Sequence, residues 1–313
     1  MKKNILIVPC YNEEEILEIT YNRLKILYAD LIAAGIISVD SKICFVDDGS
    51  RDKTWEIILK LSASEKYVQG IKLSRNFGHQ AALISGLENK YGQYDTYISI
   101  DADLQDDISV IGSMILETEK DISIVYGVRG DRKSDSFFKR ATAKIFYKTM
   151  NILGANTIFN HADFRLIDNK ALNELLRFQE RNLFLRGIFP MVGYKYSIIS
   201  YKRSKREKGE TKYPLRKMIS FAWEGVTSLS SKPLNMILYL GMFTFTFSIC
   251  ILIWVAVVML KGWNLPGWFS TIFPPVFFGG VQMISIGIIG EYIGKIYTEI
   301  KARPRYIIEE KID

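Results

Sequence analysis

The sequence predicts an α/β fold in which a mostly parallel, doubly wound sheet is followed by interfacial helices and two transmembrane helices. Short apolar runs alternate with helical stretches along the first half of the chain, and a polar loop follows each run. Two long runs without charged residues lie near the C-terminus. Alternating strands and helices are typical of parallel sheets with right-handed connections, whose ligands bind at the carboxyl ends of the strands.

The first strand leads to Pro9 and then to a helix that we expect Asn12 to cap and Gly35 to end. The second strand runs into the acidic loop at residues 47–52, and the third into the polar loop at residues 74–80. Each loop is followed by apolar residues at helical spacing. The five predicted strands are Asn4 to Val8, Ile43 to Val46, Gly70 to Leu73, Tyr97 to Ile100, and Ile122 to Tyr126.

The fourth strand ends in a cluster of carboxylates, Asp101-Ala102-Asp103-Leu104-Gln105-Asp106-Asp107. In an extended chain Asp101 and Asp103 point to one side and Ala102 to the other. Hard oxygen ligands suit Mg²⁺ or Mn²⁺, and Mg²⁺ typically combines one or two carboxylates with phosphate oxygens. Taken alone, an Asp-x-Asp sequence is more often an acidic turn that caps the next helix.

Several functional classes are disfavoured. The first strand is not followed by Gly-x-Gly-x-x-Gly, and there is no Walker lysine motif, which argues against a dinucleotide dehydrogenase or a P-loop enzyme. The loops offer carboxylates instead of glycines, so a pyrophosphate bound there would need a bridging metal. The three cysteines show no metal-ligand spacing, and we interpret them as reduced.

The charge-free runs extend from Leu234 to Leu260 and from Gly262 to Gly290, and each is long enough to cross a bilayer. A buried helical hairpin is the alternative. Only Lys261 lies between the runs, whereas several bases flank them, so the positive-inside rule places both termini in the cytoplasm. We expect Pro274-Pro275 to kink or delay the second span. The first residues lead into a short strand that ends at Pro9, which is not the pattern of a signal peptide, so we expect the N-terminal part to stay in the cytosol.

A basic segment precedes the first span. Between Lys195 and Lys217 nine lysines and arginines face only Glu207 and Glu210. Such a segment beside a membrane typically attracts anionic headgroups or phosphates, although it could also be a solvated loop. Nucleic acid is disfavoured because no motif that binds it is present.

Six motifs, in order along nearly the whole chain, resemble those of the family-2 polyprenyl-phosphate glycosyltransferases of GT-A (Rossmann-like) fold. This group includes bactoprenol glucosyltransferases and dolichyl-phosphate mannose synthases. Asp107 departs from the family's usual proline, and Thr211 from its usual serine. The motifs are Pro9-x-Tyr11-Asn12-Glu13, Asp47-Asp48-Gly49-Ser50, Ser74-Arg75-Asn76-Phe77-Gly78, Asp101-Ala102-Asp103-Leu104-Gln105-Asp106, Asp163-Phe164-Arg165-Leu166, and Arg206-x-x-Gly209-Glu210-Thr211-Lys212-Tyr213.

The resemblance implies roles for individual residues. Asp101, Asp103 and Gln105 would hold Mg²⁺ or Mn²⁺ on the donor diphosphate. The nucleotide sugar would contact Pro9, Tyr11, Glu13, Asp47, Asp48, Asp101 and Ala102. The catalytic set would comprise Asp103, Asp163, Arg129, Arg140, Arg206 and Lys212. Its arginines and its lysine would bind phosphates. Asp163 could act as a base or position a substrate, and we leave His79 and His161 out of the chemistry.

The resemblance further implies a metal-dependent hexosyltransferase. It would transfer one sugar with inversion from a nucleotide sugar to undecaprenyl or another polyprenyl phosphate, with UDP-glucose favoured over GDP-mannose as the donor. The product would be a lipid-linked donor for cell-surface glycosylation. One alternative is a polymerising family-2 glycan synthase, although the segment at residues 181–187 lacks the expected tryptophan. The other is a non-catalytic membrane scaffold or binding protein.

The predicted organisation has four parts. Residues 1–213 form a cytoplasmic catalytic domain, 214–232 a juxtamembrane amphipathic helix, 233–294 a two-helix transmembrane domain, and 295–313 a cytoplasmic tail. We expect a multi-pass protein of the plasma (inner) membrane. Since two spans alone cannot easily form a pathway, we also expect a homo-oligomer.

Overall fold

The computed structural model describes residues 1–103, 105–130, 158, 161–202, 223–261 and 267–313. Its centre is a sheet of eight strands in the order β7-β5-β6-β4-β1-β2-β3-β8. The strands are β1 (Asn4–Cys10), β2 (Lys42–Asp47), β3 (Val68–Leu73), β4 (Thr96–Ser99), β5 (Ile124–Arg129), β6 (His161–Asp168), β7 (Tyr196–Tyr201) and β8 (Ile308–Ile312).

Eight helices that lie wholly within the described part of the chain accompany the sheet. Two 3-10 turns, Ile108–Val110 and Thr118–Lys120, flank the fourth helix. The helices are α1 (Leu17–Ala33), α2 (Thr54–Ser64), α3 (His79–Lys90), α4 (Ile111–Glu117), α5 (Asn169–Leu176), α6 (Leu185–Met191), α7 (Lys232–Leu260) and α8 (Gly267–Lys301).

The five predicted strands are confirmed as β1 to β5, with ends that differ by a few residues. Strand β1 pairs in parallel with β2 and β4, and β2 pairs in parallel with β3. The carboxyl ends of these four strands therefore meet at one edge of the sheet. Strand β5 is parallel to β7, whereas β6 is antiparallel to both β4 and β5, so the described sheet is mixed but mostly parallel.

Alternate residues of β1 pack into two separate hydrophobic cores. Leu6 and Val8 pack against α1, α2 and α4, whereas Ile5 and Ile7 pack against α3, α5 and α6. Both faces of a strand are buried only when helices cover both sides of the sheet. The doubly wound prediction is confirmed.

The start of α1 differs from the prediction. Asn12 has a positive φ of 54°, and its side-chain oxygen accepts a hydrogen bond from the Arg51 amide at 2.9 Å. It therefore ties the first loop to the second, and the helix begins only at Leu17. Gly35, with φ of 70°, follows the helix as predicted.

Helices α7 and α8 carry the apolar runs. Segments Lys232–Ile251 and Pro274–Lys301 are long and apolar enough to span a membrane, and neither is buried inside the protein. Pro274 and Pro275 lie inside α8, which begins before them at Gly267 and continues to Lys301. Residues 223–229, at the end of the predicted juxtamembrane segment, are helical.

Strand β8 was not predicted. It follows α8 and pairs antiparallel with β3, at the edge of the sheet. The indole Nε1 of Trp55 donates to Glu310 at 3.1 Å, and Lys72 forms an ion pair with Glu309 at 2.9 Å. The chain that leaves the domain through α7 therefore returns to it through α8 and β8.

Candidate active site

The polar loops predicted to form a site meet at the carboxyl edge of β1, β2, β3 and β4. Asp47 is the last residue of β2 and lies opposite Cys10, the last residue of β1. The turn at residues 101–103 follows β4, whose register with β1 brings it to the same edge. Local strand and loop patterns thus converge in space, as expected for a parallel sheet.

Asp48 joins the loop after β2 to the loop after β3. It is buried, and its carboxylate accepts hydrogen bonds from the amides of Phe77 at 2.7 Å and Gly78 at 2.9 Å. Burial raises its pKa, although these amides act in the opposite direction. Gly49 has φ of 66°, and a Cβ there would lie 2.4 Å from the backbone of Arg75, so the close contact of the two loops requires glycine.

The other residues predicted to bind the nucleotide surround this junction. The Asp47 carboxylate accepts from the amide of Ser50 at 3.2 Å, and burial raises the pKa of Asp47. The Glu13 amide donates to the hydroxyl of Thr54 at 2.9 Å. Pro9 is buried in β1, and Tyr11 is exposed just beyond it. The structure brings these predicted residues together around one loop junction.

Two hydrogen bonds hold the turn at residues 101–103 in place. Thr20 on α1 donates its hydroxyl to the carbonyl of Ala102 at 2.7 Å, and the amide of Gln105 donates to Asp103 at 3.2 Å. His79 Nε2 lies 3.5 Å from a carboxylate oxygen of Asp101.

The Asp101 carboxyl lies in an acidic setting. Its pKa is raised to about 6 by burial and then by the negative charges of Asp163, Asp106 and Asp103, with His79 acting in the opposite direction. Excess negative charge at this turn favours a cation beside it.

The donor atoms fit a divalent cation bound jointly by protein and substrate. Among the described residues, no group of three or more His, Cys, Asp or Glu side chains could hold a metal alone. Asp101 and Asp103 provide two carboxylates on one turn, and Gln105 provides a buried amide. Mg²⁺ is commonly held by one or two carboxylates together with phosphate oxygens and water, so this smaller set is suitable.

Asp163 lies beside that turn because β6 is antiparallel to β4. The Ser99 hydroxyl donates to the Asp163 carbonyl at 2.7 Å. The Asp163 carboxylate forms an ion pair with Arg165, and a second with Arg186 on α6 at 2.9 Å. Burial would raise its pKa, but Arg186 and Arg165 outweigh burial and hold the pKa well below its usual range. A carboxylate so strongly stabilised as an anion is a poor proton acceptor.

Arg129 lies at the same edge of the sheet and forms an ion pair with a third acidic residue, Asp106. It is the last residue of β5 and lies opposite Tyr201 on β7. Asp106 is buried, accepts the Tyr201 hydroxyl at 2.6 Å, and lies 3.5 Å from the Arg129 guanidinium. Burial opposes the charge of Arg129, but Asp106 and Tyr201 together raise its pKa.

Sequence reasoning missed part of this network. Arg165 lies within a motif of the resemblance, but its 1% exposure could not be read from the sequence. Arg186 lies in a segment that we considered only for its missing tryptophan, and His79 was set aside although it contacts Asp101. Arg140, Arg206 and Lys212 lie outside the described residues, so their places in the site stay predictions.

Comparison with known proteins establishes the class. Residues 5–176 match the family described as Glycosyl transferase family 2. The chain belongs to this family, and its mostly parallel sheet with an acidic carboxyl edge is the GT-A fold that the sequence predicted.

Relatives extend the match over nearly the whole chain. The chain is 50% identical to the uncharacterized glycosyltransferase YkoT of Bacillus subtilis (strain 168), over 97% of this chain and 90% of that protein. It is 37% identical to the bactoprenol glucosyl transferase of Shigella phage SfX, over 98% of each.

Among solved structures, the chain is similar to mannosyl-3-phosphoglycerate synthase from Rubrobacter xylanophilus. The two share 15% identity over 75% of this chain and 74% of that one, with a TM-score of 0.47.

Proposed function

We propose that the protein transfers a single sugar from a nucleotide sugar to a polyprenyl phosphate at the cytoplasmic face of the membrane. UDP-glucose is the donor that we favour. The observation that carries this proposal is the acidic turn at residues 101–103, placed at the carboxyl edge of a sheet that is joined to two long apolar helices. Family membership gives the reaction type. The full-length similarity to proteins named bactoprenol glucosyl transferase favours glucose and a polyprenyl acceptor.

The arrangement of acids suits displacement of a nucleoside diphosphate from the anomeric carbon. Negative charge develops on the leaving diphosphate, and a divalent cation held by Asp101 and Asp103 would stabilise it. The other predicted donor contacts, around Asp48 and Tyr11, lie at the adjoining loops.

The acceptor side needs less chemistry from the protein. A phosphate oxygen of the lipid is already anionic at neutral pH, so a strong general base is not required. Asp163 suits this reaction as a fixed anion, because its two arginine partners keep it ionised. We therefore assign it to positioning of substrate and arginines, and Arg129 to the developing phosphate charge.

The path of the chain supports a hairpin in the membrane. The chain leaves the catalytic domain at Lys232 and returns to it by way of β8, which pairs with β3. A segment that leaves and re-enters the same domain crosses a bilayer an even number of times. Two crossings by α7 and α8 fit this requirement and place the residues before and after them on one side.

The test is a turnover assay with the full-length protein in membranes, a nucleotide-sugar panel, undecaprenyl phosphate and Mg²⁺ or Mn²⁺. We expect one lipid-linked monosaccharide from UDP-glucose. Asp103→Ala should lower activity about 100-fold or more, because charge stabilisation of the leaving group is lost. Asp107→Ala is the matched control, since this acid on the same loop bonds the Ser109 amide.

The outcomes separate the alternatives. A lipid-linked polymer would indicate a glycan synthase, and nucleotide binding without any product would indicate a binding protein. Full activity of Asp103→Ala would overturn the assignment of the metal site.

A further inference from the structure

A cleft of about 390 Å³ lies between the loop after β3 and the end of α8. Five basic residues line it, from three separate parts of the chain: Arg75, Arg181, Lys301, Arg303 and Arg305. The residues that line the cleft, all of them in the described part of the chain, include no aspartate or glutamate. The cleft therefore concentrates positive charge.

Three of its arginines donate side-chain hydrogen bonds to neutral backbone carbonyl groups. Arg181 donates to the carbonyl of Ala302 at 3.3 Å, Arg305 to that of Phe178 at 3.0 Å, and Arg75 to that of Asn76 at 3.2 Å. A carbonyl orients a guanidinium without cancelling its charge. These bonds hold the arginines in place and leave their charge to act on the cleft.

One carboxylate, Glu299, lies on the same last turns of α8. It accepts the backbone amides of Arg181 and Asn182, each at 2.9 Å, and the Asn182 side chain at 2.7 Å. Its single negative charge is thus used to fasten residues 181–182 to α8. Against five positive charges it leaves a large positive excess.

Aromatic rings restrict two of the cations. The Arg75 guanidinium lies 3.9 Å from the centre of the Phe77 ring, and the Lys301 ammonium lies 5.1 Å from that of Tyr297. Such contacts reduce the conformational freedom that would be lost when a ligand binds. These two cations are therefore partly ordered before a ligand binds.

The cleft lies where a phosphate would be available. Lys301 is the last residue of both α8 and the candidate span Pro274–Lys301, so Tyr297, Thr298 and Lys301 line it from the end of that span. Basic residues at the end of a membrane helix attract anionic headgroups, each contributing roughly 1 kcal/mol, about a fivefold change in affinity. None of the residues predicted to bind donor or metal lines the cleft.

We propose that this cleft binds a phosphate group, as a second anion site separate from the acidic turn at residues 101–103. The phosphate could come from the headgroup of an anionic membrane lipid or from a soluble phosphate. Planar guanidinium groups match phosphate oxygens with paired hydrogen bonds, and several of them converge here. Through the loop at residues 75–78, bound phosphate would contact the same segment that donates amides to Asp48.

The experiment measures binding to the purified full-length chain and needs no turnover. One arm counts phosphatidylglycerol molecules retained by the protein in native mass spectrometry after transfer from phosphatidylcholine nanodiscs with and without phosphatidylglycerol. The other arm titrates inorganic pyrophosphate against the protein in neutral detergent. We expect the doubly substituted variant Lys301→Gln/Arg303→Gln to weaken binding of the true source about thirtyfold, as two charges are removed.

Two further variants act as controls. Lys301→Arg/Arg303→Lys keeps both charges and should keep binding near wild type, which shows that loss in the first variant does not reflect misfolding. Lys60→Gln removes an exposed charge from α2, away from the cleft, and should have no effect. Loss in the lipid arm alone assigns the site to a headgroup, and loss in the pyrophosphate arm alone assigns it to a soluble phosphate. Equal binding by wild type and the glutamine variant in both arms would overturn the proposal.

Discussion

Asp101 follows β4 and Asp163 lies on the neighbouring strand β6, at the same edge of the sheet, yet their surroundings shift the pKa values of the two acids in opposite directions. Burial and nearby carboxylates raise the pKa of Asp101 to about 6. Burial also acts on Asp163, but Arg186 and Arg165 hold its pKa well below its usual range. The side chain of His79 contacts Asp101, with its Nε2 atom 3.5 Å from a carboxylate oxygen.

The contrast separates two kinds of acidic residue within one site. The charge of Asp163 is balanced by the protein, so the folded chain depends on it. The pKa of Asp101 is instead raised by burial and by neighbouring carboxylates, which makes the turn suitable for an external cation. Stability and ligand binding should therefore respond differently to substitution of the two residues.

The largest expected effect comes from Asp163→Asn. Removing this carboxylate leaves Arg165, 1% exposed, without its counter-charge, and the Nε and Nη1 groups of Arg165 have no hydrogen-bond partner among the described residues. Breaking a buried ion pair from one side costs about 3–5 kcal/mol of unfolding free energy. Chemical denaturation of the full-length chain in detergent, followed by tryptophan fluorescence, measures it.

Asp101→Asn is the matched control for that measurement. The substitution removes repulsion among carboxylates, so we expect unfolding stability at neutral pH that is unchanged or slightly higher. Equal losses in the two variants would show that the contrast between the acids is mistaken.

A smaller effect concerns pH and His161, which is buried next to the arginines of Asp163. Burial and then the charge of Arg165 lower its pKa from 6.5 to about 3. Between these values the unfolded chain binds a proton that the folded chain does not, so stability falls as pH decreases from about 6.5 towards 3. The contribution is up to about 1.4 kcal/mol per pH unit.

His161→Gln isolates this contribution. Wild type and variant are unfolded chemically at several values between pH 7 and pH 5, and the difference in their stabilities is plotted against pH. We expect wild type to lose stability more steeply on acidification. Parallel curves would mean that His161 is not held neutral by its surroundings.

The smallest expected effect on the unfolding free energy comes from Tyr201→Phe, which tests the hydrogen bond to Asp106. The change removes the 2.6 Å hydrogen bond to Asp106 but leaves Arg129 beside that carboxylate. Bonds to charged groups contribute about 1.5–3 kcal/mol, and we expect a loss in the lower part of that range. Tyr196→Phe, at an exposed position of the same strand, should change the unfolding free energy little.

Local sequence patterns predicted much of the fold. Strands β1 to β5 are apolar runs with polar loops, and the edge where the loops meet follows from their alternation with helices. Strands β6 and β7 were missed because both mix polar or charged residues with apolar ones, and alternate residues of β7 are exposed. Strand β8 has the polar sequence Ile308-Glu309-Glu310-Lys311-Ile312, typical of an edge strand with little local signal.

The site was predicted in part for the same reason. Asp101, Asp103 and Asp48 follow strands directly, so their convergence can be read from local order. The balance of charge around Asp163 depends on Arg186, which comes from α6. Such pairs form only in the folded chain, and the sequence shows the acid without its partners.

The pairing of β8 with β3 has a consequence for the way the protein is made. The ribosome synthesises β3 early but reaches β8 only after both apolar helices, so the outer edge of β3 stays open throughout that interval. An open edge presents unpaired amide and carbonyl groups that can recruit other chains. Closure of this edge is therefore tied in time to the delivery of α7 and α8, and a nascent chain stalled between them would be the aggregation-prone form that a cell must guard against.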